Sequence, residues 1–419
     1  MTYIEFFDKI ASKNISACLT CVPDRVIYIG YNSKLMKKHI SNYEKVFSNR
    51  GYNIEFLLKT VSKSNLDNGV ELLSEIVETY DDCVFDVTGG EEMLTLALGI
   101  VYSKYPNKNI QIHKFNIKNN IIYDYDKDGT TIYKNAPQLS IDENIKIFGG
   151  AVAYGDIDDK KTTYKWDLTP DFLKDINLIW DISKDDVRYW NKQISVFEDA
   201  ETVGTQSEDE LTTIISRDVL KQNLDRRKAK HEFSNKIIKH LLKHGLLTRF
   251  DENETTITIS YKNKQVKKCL TKAGQALEMK IYTIVRDILD EGGTSVYNDA
   301  LNGVVIDWDG ELHGESVEEI YDTQNEIDIM LMHGIVPVFI SCKNGNVFPE
   351  ELYKLNTVAD RFGGHYSKKV LVATSIFDSG IRGKYIRSRA KDMNIKLIEG
   401  VQYLDDTELK KKFKNIWNN

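Results

Sequence analysis

Cysteines and long apolar runs are both scarce in this chain. Its 419 residues include five cysteines, an odd number without the regular spacing of a disulfide framework. One pair, Cys18 and Cys21 in "CLTC", lacks the second pair that would complete a tetrahedral zinc site. The longest apolar runs, such as "IVPVFI", are far shorter than the ~20 residues of a membrane-spanning helix. The first residues also lack the basic-then-apolar order of a signal peptide. These absences predict a cytoplasmic protein with reduced thiols.

An excess of positive charge is also missing. The net charge is -7, which argues against a protein that coats nucleic acid nonspecifically. Two local basic clusters remain, "RDVLKQNLDRRKAKHEFSNKIIKHLLKHG" from Arg217 and "RGKYIRSRAKDMNIK" from Arg382. Each fits a solvated helix face or a nucleic-acid track.

At about 150 residues per domain, the length of the chain predicts two or three domains.

Short apolar runs alternate with amphipathic stretches over the first part of the chain. The runs include "YIEFF", "RVIYIGYN", "NIEFLLKTV", "CVFDVTGG" and "IQIHKFNI". Between them, "NLDNGVELLSEIVETY" places apolar residues on one helical face, namely Val70, Leu73, Ile76, Val77 and Tyr80. This order predicts a parallel α/β sheet with covering helices.

A glycine pair lies at the end of one of these strands. In "FDVTGGEEML" the strand runs into Thr88, Gly89 and Gly90 and then into a helix, which is a suitable place for a phosphate or a ribose. Asn32 and Ser33 follow a neighbouring strand, and ligands of open α/β sheets bind at the carboxyl ends of strands. The GxGxxG spacing and the Walker lysine are absent, which disfavours NAD and ATP. A tight turn explains the same residues, and the two glutamates that follow would repel an anion.

The remaining sequence changes character twice. "NIKIFGGAVAYGDI" is strand-like, and the region after it is mostly helical until a helix ending at Gly245 precedes a polar-tipped hairpin, an order that resembles a winged helix. From Lys272 a long helix is predicted to end at Gly292 and Gly293. Strands "NGVVIDWDG", "NEIDIMLM" and "VPVFISCK", a helix and a last strand "KKVLVATS" follow, which predicts a compact α/β unit.

The hairpin "NEIDIMLMHGIVPVFISCKNG" carries charged residues at its open end. Side chains alternate along a strand, so Glu326 and Asp328 share one face, as do Ser341 and Lys343. Ser341 lies opposite Glu326 or Asp328, depending on the register. Glu278 on the preceding helix faces the core, where a carboxylate needs a partner or a metal. Carboxylates that hold a divalent cation, with a lysine beside them, suit phosphodiester hydrolysis. A cross-strand salt bridge between Asp328 and Lys343 is the alternative.

With these motifs the chain resembles the CARF-domain ancillary nucleases of type III CRISPR systems, which carry a PD-(D/E)XK nuclease domain. "DVTGGEEML" resembles the CARF ligand motif, and "NEIDIMLMHGIVPVFISCKNG" followed by "ELYKLNTVADRFGG" resembles the nuclease core. The resemblance implies an α/β fold with three parts. A Rossmann-like CARF ligand-sensing domain covers residues 1–160, a linker with a winged-helix-like region covers 161–265, and a restriction-endonuclease-like PD-(D/E)XK nuclease domain covers 266–419.

The resemblance also implies a function. Such proteins are homodimers in which a cyclic oligoadenylate, commonly the tetramer, binds across paired CARF domains and activates metal-dependent cutting of single-stranded DNA or RNA, with Mn²⁺ or Mg²⁺ as cofactor, in antiviral defence. Thr88, Gly89 and Gly90 would contact the ligand, with Asn32 and Ser33 beside them.

The same resemblance assigns the nuclease residues. Asp328 would be the motif aspartate, Lys343 the motif lysine, and the Cys342 carbonyl a metal ligand. Ser341 stands where the motif has an acid, so Glu326 or Glu278 would supply that charge, and Glu326 would also hold the metal. Two other functions remain open: a ligand-sensing DNA-binding regulator with an inactive nuclease-like domain, and a constitutive repair nuclease.

Overall fold

The computed structural model describes residues 1–117, 121–126, 129–133, 137–157, 161–226, 232–310, 324–377 and 380–417. Within these residues the chain forms a mixed α/β structure with a seven-stranded, a four-stranded and a six-stranded sheet. The predicted α/β class is therefore confirmed. Within the same residues, no helix is both long and apolar enough to cross a membrane.

The first sheet uses the predicted strands and two more. In chain order its strands are β1 (Thr2–Phe6), β2 (Arg25–Gly30), β3 (Glu55–Thr60), β4 (Asp82–Asp86), β5 (Asn109–Asn116), β6 (Ile121–Asp126) and β7 (Gly129–Tyr133). Their spatial order is β3-β2-β1-β4-β5-β6-β7. Strands β1 to β5 pair in parallel, as predicted. The last two are antiparallel and were not anticipated. From β1 the chain continues outward to β2 and β3, and then crosses to β4 on the other side of β1. A topological switch point therefore lies between β1 and β4.

Helices cover both faces of this sheet. They are α1 (Ser16–Cys21), α2 (Ser33–Asn49), α3 (Leu66–Thr79), α4 (Glu92–Lys104) and α5 (Ile141–Ile147). Alternate strand residues point to opposite faces: Tyr3 and Tyr28 belong to the core that includes α1 and α2, and Ile4 and Phe85 to the core under α3 and α4. The predicted apolar face of α3 packs into that second core.

The stretch predicted to be strand-like around residue 145 is instead helix α5. Ser140 accepts a hydrogen bond from the Glu143 backbone, and the Glu143 side chain accepts one from the Ser140 backbone. This capping box starts a helix and outweighs the apolar pattern. The extended part of this stretch includes β8 (Ala151–Val152), which pairs with the third sheet.

The middle region combines helices with the four-stranded sheet. Its elements are α6 (Pro170–Asp185), α7 (Val187–Val203), β9 (Thr205–Gln206), β10 (Thr212–Ser216), α8 (Arg217–Arg226), α9 (Asn235–Lys243), β11 (Leu247–Glu252), β12 (Thr256–Tyr261) and α10 (Lys264–Thr271). The sheet order is β11-β12-β10-β9. A helix followed by a hairpin therefore occurs where the sequence predicted one. Residues 227–231 of the first basic cluster lie outside the described residues.

The last part of the chain builds the six-stranded sheet. It contains α11 (Gln275–Arg286), β13 (Asp299–Asp307), β14 (Gln324–His333), β15 (Val336–Lys343), α12 (Pro349–Gly363), β16 (Lys368–Ala373), α13 (Ile381–Asp392), β17 (Ile395–Ile398) and α14 (Asp406–Lys414). The order is β17-β16-β15-β14-β13-β8, antiparallel from β8 to β15 and parallel from β15 to β17.

Helix α11 ends earlier than predicted. The Asp290 carboxylate accepts hydrogen bonds from the backbone of Gly292 and Thr294, so these residues form a turn after the helix has ended.

The six-stranded sheet packs on both sides: Ile329 and Ile340 join the core of the middle region, while Met330 and Phe339 join the core shared with α2 and α5. The hairpin of β14 and β15 is therefore held between the two other parts of the chain.

Candidate functional site

The hairpin register decides which acid faces Ser341. Ile329 pairs with Ile340 and His333 with Val336, so Gly334 and Ile335 make the turn. This register brings Ser341 to Asp328. The Ser341 hydroxyl donates to Asp328 Oδ2 at 3.2 Å, and the Cys342 amide donates to the same oxygen at 2.6 Å. The Asp328 carboxylate is thus fixed by the opposite strand.

Lys343, at the end of β15, pairs with a different acid from the one expected. Its Nζ lies 2.9 Å from Glu351 Oε2 in the first turn of α12, and within the described residues it forms no ion pair with Asp328. The simple cross-strand salt bridge is therefore not what the structure shows. Burial works to lower the pKa of Lys343, but the carboxylates of Asp328, Glu351 and Glu278 outweigh burial and raise it. The ammonium group stays charged.

Glu278 is buried, as the stripe on its helix predicted. It is 5% exposed, and its Oε2 has no hydrogen-bond partner among the described residues. The nearest cation, Lys272 Nζ, is 4.0 Å away. Burial raises the pKa of Glu278 to about 8, with a further contribution from Asp328. Burial also raises the pKa of Asp328, although Lys343 opposes the rise. Burial therefore raises the pKa of both carboxyl groups, which favours their protonated forms.

Glu326 lies at the exposed side of the same cluster. Lys272 Nζ donates to Glu326 Oε1 at 2.6 Å, and both side chains are partly exposed. Gly274, which starts α11 with φ of 86°, packs tightly here, since a Cβ on it would lie 3.1 Å from Glu278 Oε1. The structure therefore brings Glu278, Glu326, Asp328 and Lys343 into one cluster.

Lys272 and Glu351 belong to this cluster and were not predicted. In the sequence, Lys272 marked only the start of a predicted helix. Its position six residues before Glu278 was the one feature that could have suggested a contact with the acidic cluster. Glu351 lies in the "PEEL" that begins α12, where acids are common because they complement the helix dipole. That ordinary explanation hid its contact with Lys343.

The donor atoms of this cluster suit a hard divalent cation. Within the described residues, no group of three or more histidine, cysteine, aspartate or glutamate side chains is placed so that it could hold a metal ion. The Cys342 thiol is unsuitable because burial raises its pKa well above its usual range, which leaves its backbone carbonyl as the available donor. By chemical type, the carboxylate oxygens of Glu278, Asp328 and Glu326 are ligands that Mg²⁺ and Mn²⁺ prefer.

The predicted ligand residues lie at the switch point of the first sheet. Thr88 follows β4 and Asn32 follows β2, the two strands that flank β1. Both polar side chains have partners within the chain. The Thr88 hydroxyl accepts from the Phe115 amide at 2.7 Å, and Asn32 caps α2, which begins at Ser33, by accepting from the Leu35 amide at 3.0 Å.

The two glycines are required by the packing of the loop after β1. A Cβ on Gly89 would lie 2.9 Å from Asp8 Cβ, and one on Gly90 would lie 2.3 Å from Phe6 Cβ. Gly90 also has φ of 81°, which disfavours side chains. The tight-turn interpretation therefore explains both glycines. One of the two following acids is neutralised, since Lys63 Nζ lies 2.9 Å from Glu91 Oε1.

The sequence matches no protein-family model and no curated protein. Solved structures do match. Protein VC1899 from Vibrio cholerae gives a TM-score of 0.70 at 15% identity and covers 100% of this chain and 97% of its own. Can2 from Sulfobacillus thermosulfidooxidans, in complex with cyclic tetra-adenylate, gives 0.66 at 15% identity and covers 100% of this chain and 99% of its own. The chain thus shares its fold with both proteins over its whole length.

Proposed function

We propose that the protein is a nuclease, activated by a cyclic oligoadenylate and dependent on a divalent metal, that cuts single-stranded DNA or RNA in type III CRISPR antiviral defence. The observation that carries the proposal is the buried Glu278 carboxylate, which has a raised pKa and an orphaned oxygen, beside Asp328 and next to the protonated Lys343. Perturbed carboxylates that cluster with a lysine are typical of catalytic sites. The shared fold with Can2 is consistent with this assignment.

The residues of the cluster would have different roles in metal binding and catalysis. Asp328, Glu326, Glu278 and the Cys342 carbonyl would hold Mn²⁺ or Mg²⁺, and the ion when bound would supply Lewis-acid stabilisation of the phosphate and an acidified water. Lys343 is charged and fixed by Glu351, so it offers a positive group for the phosphate oxygens and orients the attacking water. Glu351 positions this lysine.

Ser341 replaces the acid of the motif but keeps a positioning role. Its hydroxyl donates to Asp328 and so shares in orienting that carboxylate. Glu278, which is buried near the same aspartate and has a raised pKa, would supply the negative charge that the serine lacks once a bound cation favours its ionised form. The proposal therefore keeps an active site with a rearranged set of carboxylates.

The activator is proposed to be cyclic tetra-adenylate, bound at the switch-point edge of residues 1–160. Thr88, Gly89, Gly90, Asn32 and Ser33 would line this site. With the Thr88 and Asn32 side chains engaged inside the chain, the loop would offer mainly backbone groups at the N-termini of α2 and α4. Two copies of the chain would share one ligand ring as a homodimer.

Ligand binding would reach the nuclease residues 266–419 through the middle region, 161–265. Asn191 on α7 donates to the Asn344 carbonyl at 2.6 Å and accepts from the Asn344 side chain at 2.9 Å. Asn344 directly follows Lys343. A shift of α7 would therefore move the backbone next to this lysine, provided that the ligand binds the two arrangements with different affinity.

The test is a cutting assay with the purified full-length chain. Labelled single-stranded DNA and RNA are incubated with Mn²⁺ or Mg²⁺, with and without cyclic tetra-adenylate, and the products are separated on a gel. Cutting that needs both ligand and metal is the expected result. Cutting that ignores the ligand would indicate a constitutive nuclease. Ligand binding without any cutting would overturn the nuclease proposal and favour the DNA-binding regulator.

A further inference from the structure

Exposed aromatic side chains gather on one face of α12 and α13. Phe348, Tyr353 and Tyr385 are 52%, 44% and 42% exposed. Tyr353 and Tyr385 come from different helices, and the neighbouring Tyr385 hydroxyl raises the pKa of Tyr353. Exposed aromatic side chains that cluster into one patch on a folded domain often form a binding surface.

Two arginines lie over these rings. Arg382 Cζ is 4.8 Å from the centre of the Phe348 ring, and Arg389 Cζ is 5.4 Å from the centre of the Tyr385 ring. Arg382 also donates to the Val347 carbonyl and has no acidic partner among the described residues. We call these five residues the aromatic–arginine surface: Phe348, Tyr353, Arg382, Tyr385 and Arg389.

The charge of this face differs from that of the whole chain. Helix α13, "IRGKYIRSRAKD", contains five cations and one acid, whereas the chain carries a net charge of -7. Arg387 is committed elsewhere, to Glu399 at 2.9 Å. A cationic helix with flat side chains offers both phosphate contacts and stacking faces, the combination found in proteins that bind single strands.

The surface begins beside the proposed catalytic lysine. Phe348 caps α12, and Glu351 in the first turn of the same helix holds Lys343. Strands β15 and β16 are parallel, with Lys343 opposite Ala373, so both end at this edge of the sheet, and α13 follows β16. A strand of nucleic acid on this surface would therefore pass Lys343.

We infer that the aromatic–arginine surface binds single-stranded nucleic acid by stacking its bases on Phe348, Tyr385 and the two guanidinium groups. The inference rests on the proposed nuclease function and identifies where its substrate lies. Duplexes keep their bases stacked inside, so this surface selects single strands.

The test measures binding apart from cutting. Full-length protein with cyclic tetra-adenylate in EDTA is titrated into a fluorescein-labelled poly(dT) of about 20 nucleotides, a fully abasic strand of equal length and a duplex, with anisotropy as the readout. Poly(dT) is expected to bind most tightly. Phe348→Ala and Tyr385→Ala should each raise Kd for poly(dT) about fivefold or more, and leave Kd for the abasic strand nearly unchanged.

Two variants serve as controls. Tyr385→Phe keeps the ring and should bind as the wild type does, while Tyr125→Ala removes a ring of similar exposure, 40%, from the first sheet and should change nothing. Because these positions are exposed, the substitutions should change the stability of the fold little, and Tm measurements check this. Equal affinity for abasic and base-containing strands, or for duplex and single strand, would overturn the inference.

The cutting assay in Mn²⁺ separates this inference from the proposed function. If the wild type cuts and Phe348→Ala and Tyr385→Ala cut with unchanged KM, the surface assignment fails and the nuclease stands. If the wild type binds poly(dT) through these rings but does not cut, the nuclease proposal fails and the surface stands. If it neither binds nor cuts, both fail.

Discussion

The two strand-end sites of this molecule use their polar residues in opposite ways. At the edge of the first sheet, the Thr88 hydroxyl and the Asn32 amide are engaged in hydrogen bonds within the chain, and Gly90 fits against Phe6. Beside the C-terminal hairpin, the Glu278 carboxylate on α11 is buried with an orphaned oxygen, and burial raises its pKa to about 8. The Thr88 and Asn32 side chains are thus satisfied, and the orphaned oxygen of the first site belongs to Asp86 Oδ2 at the end of β4. In the second site the orphaned oxygen belongs to a predicted site residue itself.

Under the proposed function, this difference distinguishes the loop that supports the ligand site from the cluster that carries the chemistry. Satisfied side chains fix a loop whose backbone can face a ligand at little cost to folding. A buried carboxylate without a partner destabilises the fold and persists where chemistry needs it. We therefore expect substitutions in the hairpin to change cutting more than folding, and substitutions in the glycine loop to lower both stability and ligand affinity.

The largest effect is expected from the hairpin. Asp328→Ala or Lys343→Ala should reduce the cutting rate at least about 100-fold, because each removes a group that holds the metal or faces the phosphate. Affinity for cyclic tetra-adenylate, measured by calorimetry, should not change. Lys354→Ala is the matched control, since that side chain is 74% exposed and its ion pair among the described residues is with Glu351 at 3.7 Å. Normal cutting by Asp328→Ala or Lys343→Ala would refute the site.

The glycine loop should respond in stability and ligand affinity. Gly90→Ala places a Cβ 2.3 Å from Phe6 Cβ at φ of 81°, so we expect loss of ligand binding and a fall in Tm of several degrees. Gly51→Ala has a similar φ, 77°, with nothing within 4 Å, and should cost only about 1 kcal/mol. Equal effects of the two substitutions would mean that the Phe6 contact is unimportant.

The pH dependence of stability should reveal Glu278. Its folded-state pKa, about 8, lies above the ordinary value of 4.5, so the folded state binds more protons between these values. The free energy of unfolding should therefore fall as pH rises through that window. Glu278→Gln should flatten the slope and raise Tm at pH 8 by about 2 °C or more in metal-free protein. Scanning calorimetry from pH 5 to pH 8.5 measures this, and an unchanged slope would contradict the raised pKa.

The smallest effect is expected at Lys272. Its ammonium lies 2.6 Å from Glu326 and is partly exposed, so it opposes a second cation only weakly. Lys272→Met should tighten Mn²⁺ binding, measured by calorimetry, by no more than about fivefold. Weaker Mn²⁺ binding would show instead that Lys272 positions Glu326 for the metal.

Much of the architecture could be read from the sequence. The period-two and helical patterns placed β1 to β5, the apolar face of α3 and the charged hairpin, because burial of one face leaves a direct mark on local sequence. The pattern misled at α5, where a capping box decided the structure, and at the end of α11, where Asp290 makes a turn. Both errors came from hydrogen bonds that apolar periodicity does not record.

The sequence alone also determined which residue types could form a carboxylate and lysine site, since alternation along two strands places Asp328 near Lys343. Only the tertiary structure decided how the site is charged. In the folded chain Lys272 donates a hydrogen bond to Glu326, and Lys343 forms an ion pair with Glu351 on α12. Glu278 Oε2 has no hydrogen-bond partner among the described residues. The reason is physical: a pKa depends on burial and on neighbours that are distant in sequence, and neither is fixed by local pattern.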